Sequence, residues 1–291
     1  MEEEHWSRVY CGAKGIPYQA WSNLNIDVMY KGLGVEHKML CRRSSKSLLE
    51  ACGENLMHPS LTRSVRVPLE LDADSAMRNV FSQYEELIEQ RRTRVARDNP
   101  DTVPDMRLGW LLWQESLVEF LYFEVPMVAP EPELYRAEWK QNLAKGNRKA
   151  SKSLWIYEKE TGLKRYSVTT EAGNKIQPYF TVPLPSEPNL FHFVVQGESL
   201  SSGDIRIWLT PSTYRELLQI LGSLEPDVVG GAIECCSSLP KKDPDETNSD
   251  ELNALQLLLR ESAYRQLVEK FEGVSDEHRI QKLVEVIRRD G

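Results

Sequence analysis

Asn25–Leu40 reads NIDVMYKGLGVEHKML, and this stretch decides the fold. Asn25–Tyr30 reads as a strand, Lys31-Gly32-Leu33-Gly34 as a turn and Val35–Cys41 as a second strand. The two glycines supply the positive φ that tight hairpin turns need. With this turn Tyr30 lies opposite Val35, Met29 opposite Glu36 and Asp27 opposite Lys38. Opposed residues of an antiparallel pair project to the same side of a sheet. A loop of two or four residues therefore keeps Asp27, Glu36 and Lys38 on one face, whereas three residues would slip the pairing by one and separate them. Two carboxylates from neighbouring strands can hold a hard divalent cation such as Mg²⁺. A lysine two residues along can orient a water or stabilise a phosphorane-like transition state.

The spacing Asp27-x8-Glu36-x-Lys38 resembles the PD-(D/E)xK nucleases, the superfamily of many type II restriction endonucleases. All three residues match the motif, Ile26 stands where the idealised pattern has proline, and the resemblance covers roughly residues 16 to 41. It implies a mixed central sheet of restriction-endonuclease type with flanking helices; the strand patterns from Leu154 and the apolar stripes after Asp250 add a β-rich second region and a helical C-terminal tail, so the expected fold is α+β (α/β-like). A helix and a further core strand follow the (D/E)xK strand in that family, and the segments after residue 71 supply both. The resemblance also implies Mg²⁺ bound by Asp27, Glu36 and the His37 carbonyl, with Asp27, Glu36 and Lys38 catalytic. The substrate is then double-stranded DNA, cut at a short specific site by a symmetric homodimer. The rival reading is a non-catalytic module that binds nucleic acid or a protein and whose acidic hairpin is structural.

Two basic clusters are candidate DNA contacts. Arg42, Arg43 and Lys46 follow the hairpin, and a basic loop carries Lys140, Lys145, Arg148, Lys149 and Lys152. Asn147, Arg165, Asn174 and Gln177 are candidates for reading base edges. The net charge of −8 and pI near 5.4 argue against a protein that coats nucleic acid, so any grip on DNA is local. The 291 residues suffice for one large domain or two ordinary ones, and the composition is globular. No apolar run approaches a membrane span, and the acidic, polar start MEEEHWSRVY is expected to be neither a signal nor a transit peptide. Five cysteines without metal-ligand spacing point to reduced thiols, so a cytoplasmic location is expected.

The domain expectation is a nuclease core over 1–130, a β-rich recognition region over 131–235, a linker over 236–250 and a helical tail over 251–291. Alternation over Arg63–Leu71 predicts an edge strand, Asp74 a helix N-cap, and Ser75–Ala96 an amphipathic helix. Leu108–Gln114 and Val118–Val125 read as strands. Leu224–Ile233 reads as loop or short strand, and two helices are expected over Glu251–Glu272 and Asp276–Arg289.

Overall fold

The computed structural model describes residues 3–17, 26–43, 47–62, 65–114, 117–143, 151–170, 174–236 and 254–290. The fold is α+β with a mixed sheet. Two compact units form, one from Met1–Cys41, Ser47–Leu112 and Leu121–His192, the other from Arg42–Lys46, Trp113–Phe120 and Phe193–Gly291. The first boundary expected at residue 130 is not where the units part, because the sheet following it shares its core with the hairpin.

In chain order the first unit supplies α1 (Glu3–Lys14), β1 (Val28–Tyr30), β2 (Leu33–Arg42), β3 (Asn55–Met57) and α2 (Ala73–Asp98). Then come β4 (Asp105–Gln114), β5 (Glu119–Pro126), β6 (Tyr135–Asn142), β7 (Ser151–Glu158), β8 (Lys164–Thr169), β9 (Ile176–Thr181) and β10 (Leu190–Val194), with two residues at one end of each of β4, β5 and β10 counted to the second unit. One five-stranded sheet has the order β1-β2-β4-β5-β10, the other β3-β9-β8-β7-β6. The hairpin closes through a two-residue turn, with Lys31 at φ 47° and Gly32 at φ 85°, so Tyr30 pairs with Leu33 and Val28 with Val35. Positive φ at both central residues is the mark of a type I′ turn, whose twist suits a hairpin. The pairing is therefore two residues from the one expected for a four-residue turn. A shift of two preserves the faces and sets Asp27 opposite Glu36 rather than Lys38. Gly34 is a strand residue, not a turn residue: a Cβ there would lie 2.8 Å from Val95 and 2.9 Å from Ile26.

After β2, helix α2 returns the chain to a strand that runs parallel to it. The Asp105 N–H donates to the Gly32 carbonyl at the start of the pair, and Gly109 lies against His37 further along. The helix buries Met77, Val80, Phe81, Tyr84, Ile88 and Val95, a stripe at spacings of three and four. Phe81 meets Tyr135 and Tyr166 edge-on, and Trp110 of β4 stacks on Phe180 of β9 at 4.1 Å. Full burial of each such side chain contributes roughly 1.5–3 kcal/mol. The two sheets and α2 thus share one apolar interior, while α1 covers the opposite face of the first sheet through Trp6 and Tyr10 against Tyr122.

Two expectations near α2 need correction. Val65 is buried as the alternation predicts, but residues 65–71 form no strand. Gln83 of α2 accepts from the Arg66 N–H at 2.7 Å and donates to the Arg66 carbonyl at 2.8 Å, meeting the backbone groups a sheet would otherwise satisfy. The N-cap is Asp72, whose side chain accepts from the Ser75 N–H at 3.0 Å. Asp74 instead accepts from the Ala137 N–H at 2.7 Å and ties the helix start to β6.

The second unit contains β11 (Glu198–Ser199), β12 (Asp204–Leu209), α3 (Pro211–Leu221), α4 (Pro226–Cys235), β13 (Leu255–Arg260), α5 (Glu261–Lys270) and α6 (Asp276–Asp290). Residues 255–260, expected in a helix, pair antiparallel with β12 along its whole length. Leu257 and Leu259 enter the core, so pairing with β12 overrides the helical preference of a leucine run. Residues 226–235 form a helix rather than a loop or strand: Pro226 sits where a missing N–H costs nothing, and at Gly230 a Cβ would lie 3.5 Å from Ala263. The linker expected at 236–250 lies, beyond Cys236, outside the described residues.

Candidate active site

Asp27 stands one residue before β1, and its Oδ2 accepts from the His37 N–H at 2.6 Å. This carboxylate takes the place of a backbone partner at the end of the hairpin. Glu36 and Lys38 alternate along β2 and point to the α2 side of the sheet, where both are buried. Lys38 Nζ donates to Glu36 Oε1 at 2.8 Å, and Arg91 Nη2 of α2 donates to the same oxygen at 3.3 Å. Glu3 of α1 approaches Lys38 at 4.0 Å. The hairpin therefore gathers Asp27, Glu36 and Lys38, as the sequence predicts.

Electrostatics distinguish the two carboxyls. Burial, with the charges of Glu36 and Glu3 behind it, pushes Asp27 up to about 6, and the His37 N–H and Lys38 only partly oppose them. Glu36 has two cations within ion-pair distance. Burial also raises the hydroxyl of Tyr84, on α2 near Arg91 and Glu36. The charge pattern is an acid held back from ionising chiefly by burial beside an acid that lies between two cations.

His37 turns its side chain to the other face of the sheet. Its Nδ1 lies 3.0 Å from Ser7 Oγ, and Tyr10 and Tyr122 meet the ring edge-on at 5.1 and 6.0 Å. Burial, with Lys38 adding to it, lowers its pKa to about 3, so the imidazole is neutral. The ring is a packed core group. The backbone is a different matter. In an antiparallel pair a residue's N–H and C=O point to the same edge. The His37 N–H meets Asp27, so its carbonyl is directed to Asp27's edge as well.

No group of three or more His, Cys, Asp or Glu side chains that could hold a metal ion occurs among the described residues. The donor set expected from the sequence is Asp27, Glu36 and the His37 carbonyl. That set fits Mg²⁺, which is held by one or two carboxylates and completes its shell with water and phosphate oxygens. What bears on a cation is the chemistry of the set: two carboxylates and a carbonyl are hard oxygen donors, and Asp27 meets the backbone of His37, whose carbonyl shares its edge.

The candidate DNA contacts are placed only in part. Arg42 closes β2 and Arg43 follows it. Lys46, Lys145, Asn147, Arg148 and Lys149 lie outside the described residues. Lys140 and Lys152 are not in a loop but on β6 and β7, where ladder pairing extends to Asn142 and Ser151. Lys152 Nζ stands 3.9 Å over the Trp139 ring. Arg165 is paired with Glu158 and donates to Thr181, Gln177 donates to the Pro59 carbonyl, and Asn174 holds a turn at φ 47°.

Arg91 is the site residue that sequence reasoning misses, because it reads as one cation of a basic helix end. The signal is present: Tyr84, Ile88, Arg91 and Val95 continue one stripe at spacings of four, three and four, so a cation interrupts the buried face. Comparison of the chain with models of known protein families, with curated proteins and with solved structures finds no match.

Proposed function

We propose that the chain is a metal-dependent endonuclease that hydrolyses phosphodiester bonds of double-stranded DNA. One observation carries this reading: Asp27, Glu36 and Lys38 share one face of a hairpin, with the His37 carbonyl directed to the same edge. The elements that follow also support it, since α2 and the parallel strand β4 come in the order the PD-(D/E)xK resemblance implies.

Mg²⁺ at Asp27, Glu36 and the His37 carbonyl would lower the pKa of a bound water and offset charge on a phosphoryl oxygen. The chain's own groups do the rest. Asp27 and Glu36 supply the negative charge that holds the cation. Arg91 fixes Glu36 from α2. Lys38 exchanges its bond to Glu36 for one to the attacking water, orients its lone pair toward phosphorus and stabilises the added negative charge. The new P–O bond forms as the bond to the leaving ester oxygen breaks, the attacking water giving its proton to solvent and the leaving alkoxide taking one from solvent water. Arg42, Arg43, Lys145, Arg148, Lys149 and Lys152 are the proposed phosphate contacts, and a homodimer would present two such sites to a palindrome.

Incubation with plasmid and Mg²⁺ tests the proposal. Discrete fragments are expected, smearing would indicate a nonspecific nuclease, and intact DNA across sequences and salt concentrations would overturn it. The full pairing of Glu36 with Lys38 and Arg91 favours a second reading, in which the hairpin is structural and the chain a binding module. Under that reading Asp27→Asn and Glu36→Gln leave every activity unchanged.

A further inference from the structure

The sheet β3-β9-β8-β7-β6 has one face in the core and one turned away from it. Ladder pairing assigns the positions: Leu154, Ile156, Val168, Ile176 and Phe180 point inward, so Arg136, Lys140, Trp155, Tyr157 and Tyr179 point outward. A solvated sheet face ordinarily alternates to polar residues. Here three aromatic rings stand half-buried on it, and cations are set over them. Lys164 Nζ lies 3.6 Å from the Trp155 ring centre and 4.6 Å from that of Tyr179. Lys140 Nζ lies 5.5 Å from Trp155, and Arg136 Cζ 4.6 Å from Tyr157.

We propose that this outward sheet face binds single-stranded nucleic acid, with bases stacked on Trp155, Tyr157 and Tyr179 and phosphates met by Arg136, Lys140 and Lys164. Charge complementarity identifies the occupant. The chain carries a net charge of −8, yet this face gathers those three cations around Glu138, which lies 3.2 Å from Lys140, while Arg165 and Glu158 beside them neutralise each other as a pair. Flat rings with long, flexible cations lying over them match a strand whose bases are unpaired and whose backbone is anionic, the cations leaving the rings for phosphate as the bases stack. A duplex does not fit, because its base faces are already stacked on one another and closed to the rings. The three rings come from strands β7 and β9 with β8 between them, so successive bases would cross the sheet rather than follow one strand. The face takes no part in the Asp27–Glu36 site, so it stands or falls independently of the nuclease reading.

Binding of an oligothymidylate of about 16 nucleotides, followed by anisotropy in EDTA so that no metal is present, tests this. Wild type and an Asp27→Asn/Glu36→Gln double variant are both expected to bind. Trp155→Leu is expected to weaken binding at least tenfold, as removal of a stacking platform should. Lys140→Gln with Lys164→Gln is expected to make the dependence of log K on log salt shallower by about 1 to 2, because two fewer cations then meet the phosphates of the strand. Melting curves accompany both variants, and the lysine pair decides the matter if Trp155→Leu does not fold. The proposal is overturned if wild type does not bind the oligonucleotide, or if the folded variants bind it as wild type does.

Discussion

Asp27 is held by a backbone N–H yet buried beside another carboxylate, and these two facts set opposite expectations for two neighbouring substitutions. Its carboxyl is raised in the folded chain, to about 6. The folded state therefore binds its proton more tightly than the unfolded state does. That stability is fully present below the unfolded value of about 4 and is lost as pH rises through the folded value. Asp27→Asn keeps an acceptor for the His37 N–H and removes the ionisation. It is expected to be more stable than wild type above about pH 6, by on the order of 2 kcal/mol, with the difference vanishing below about pH 4. Glu36→Gln leaves Lys38 and Arg91 facing each other without their carboxylate, and is expected to cost about 3 kcal/mol. Urea titrations across pH check both. Two changes of the same sign would contradict the charge pattern drawn for the site. Mg²⁺ is further expected to raise the melting temperature of wild type near neutral pH and not that of Asp27→Asn, since only a ligand bound to the folded state stabilises it.

At the scale of elements, the glycines of the fold are not interchangeable. A Cβ at Gly109 would collide with the Tyr122 hydroxyl and lie 2.7 Å from the His37 ring, so Gly109→Ala is expected to destabilise the first unit by about 1–3 kcal/mol. A Cβ at Gly231 in α4 meets nothing within 4 Å, so Gly231→Ala is expected to stabilise by about 0.5–1 kcal/mol. Thermal melts of the two variants should move in opposite directions. The same contrast shows what is legible in the sequence. Local turn chemistry and period-two alternation reveal the hairpin and the shared face of Asp27, Glu36 and Lys38. The pairing offset does not follow, because Gly34 serves packing against Val95 and not the turn. Val65 and Val67 alternate like a strand, but a side chain from α2 occupies the backbone between them, a bond spanning 17 residues that no local pattern records. The leucines of β13 fit a helix stripe as well as a strand, and only their partner β12 decides between them. Arg91 escapes notice for a similar reason: its stripe is readable, but which strand that stripe faces is not.

Across the whole molecule, a net charge of −8 repels phosphate, so function depends on where the charge is concentrated. The first unit concentrates acid at the Asp27–Glu36 hairpin and cations on the outward face of the second sheet. No helix among the described residues is long and apolar enough to cross a membrane. A cation at the acid cluster would reverse the local field there and admit a phosphate group, which links metal binding to substrate binding. Removing the acids should therefore abolish cutting while leaving the affinity for duplex DNA intact or increased, because repulsion with the backbone falls. The most direct measurement is duplex cleavage by wild type and by Asp27→Asn/Glu36→Gln, each saturated with DNA and started with Mg²⁺. The expected result is cutting by wild type that EDTA stops, and none by the double variant despite tight binding. Equal cutting by both proteins, or none by wild type, would contradict the assignment of Asp27, Glu36 and Lys38 as the catalytic centre.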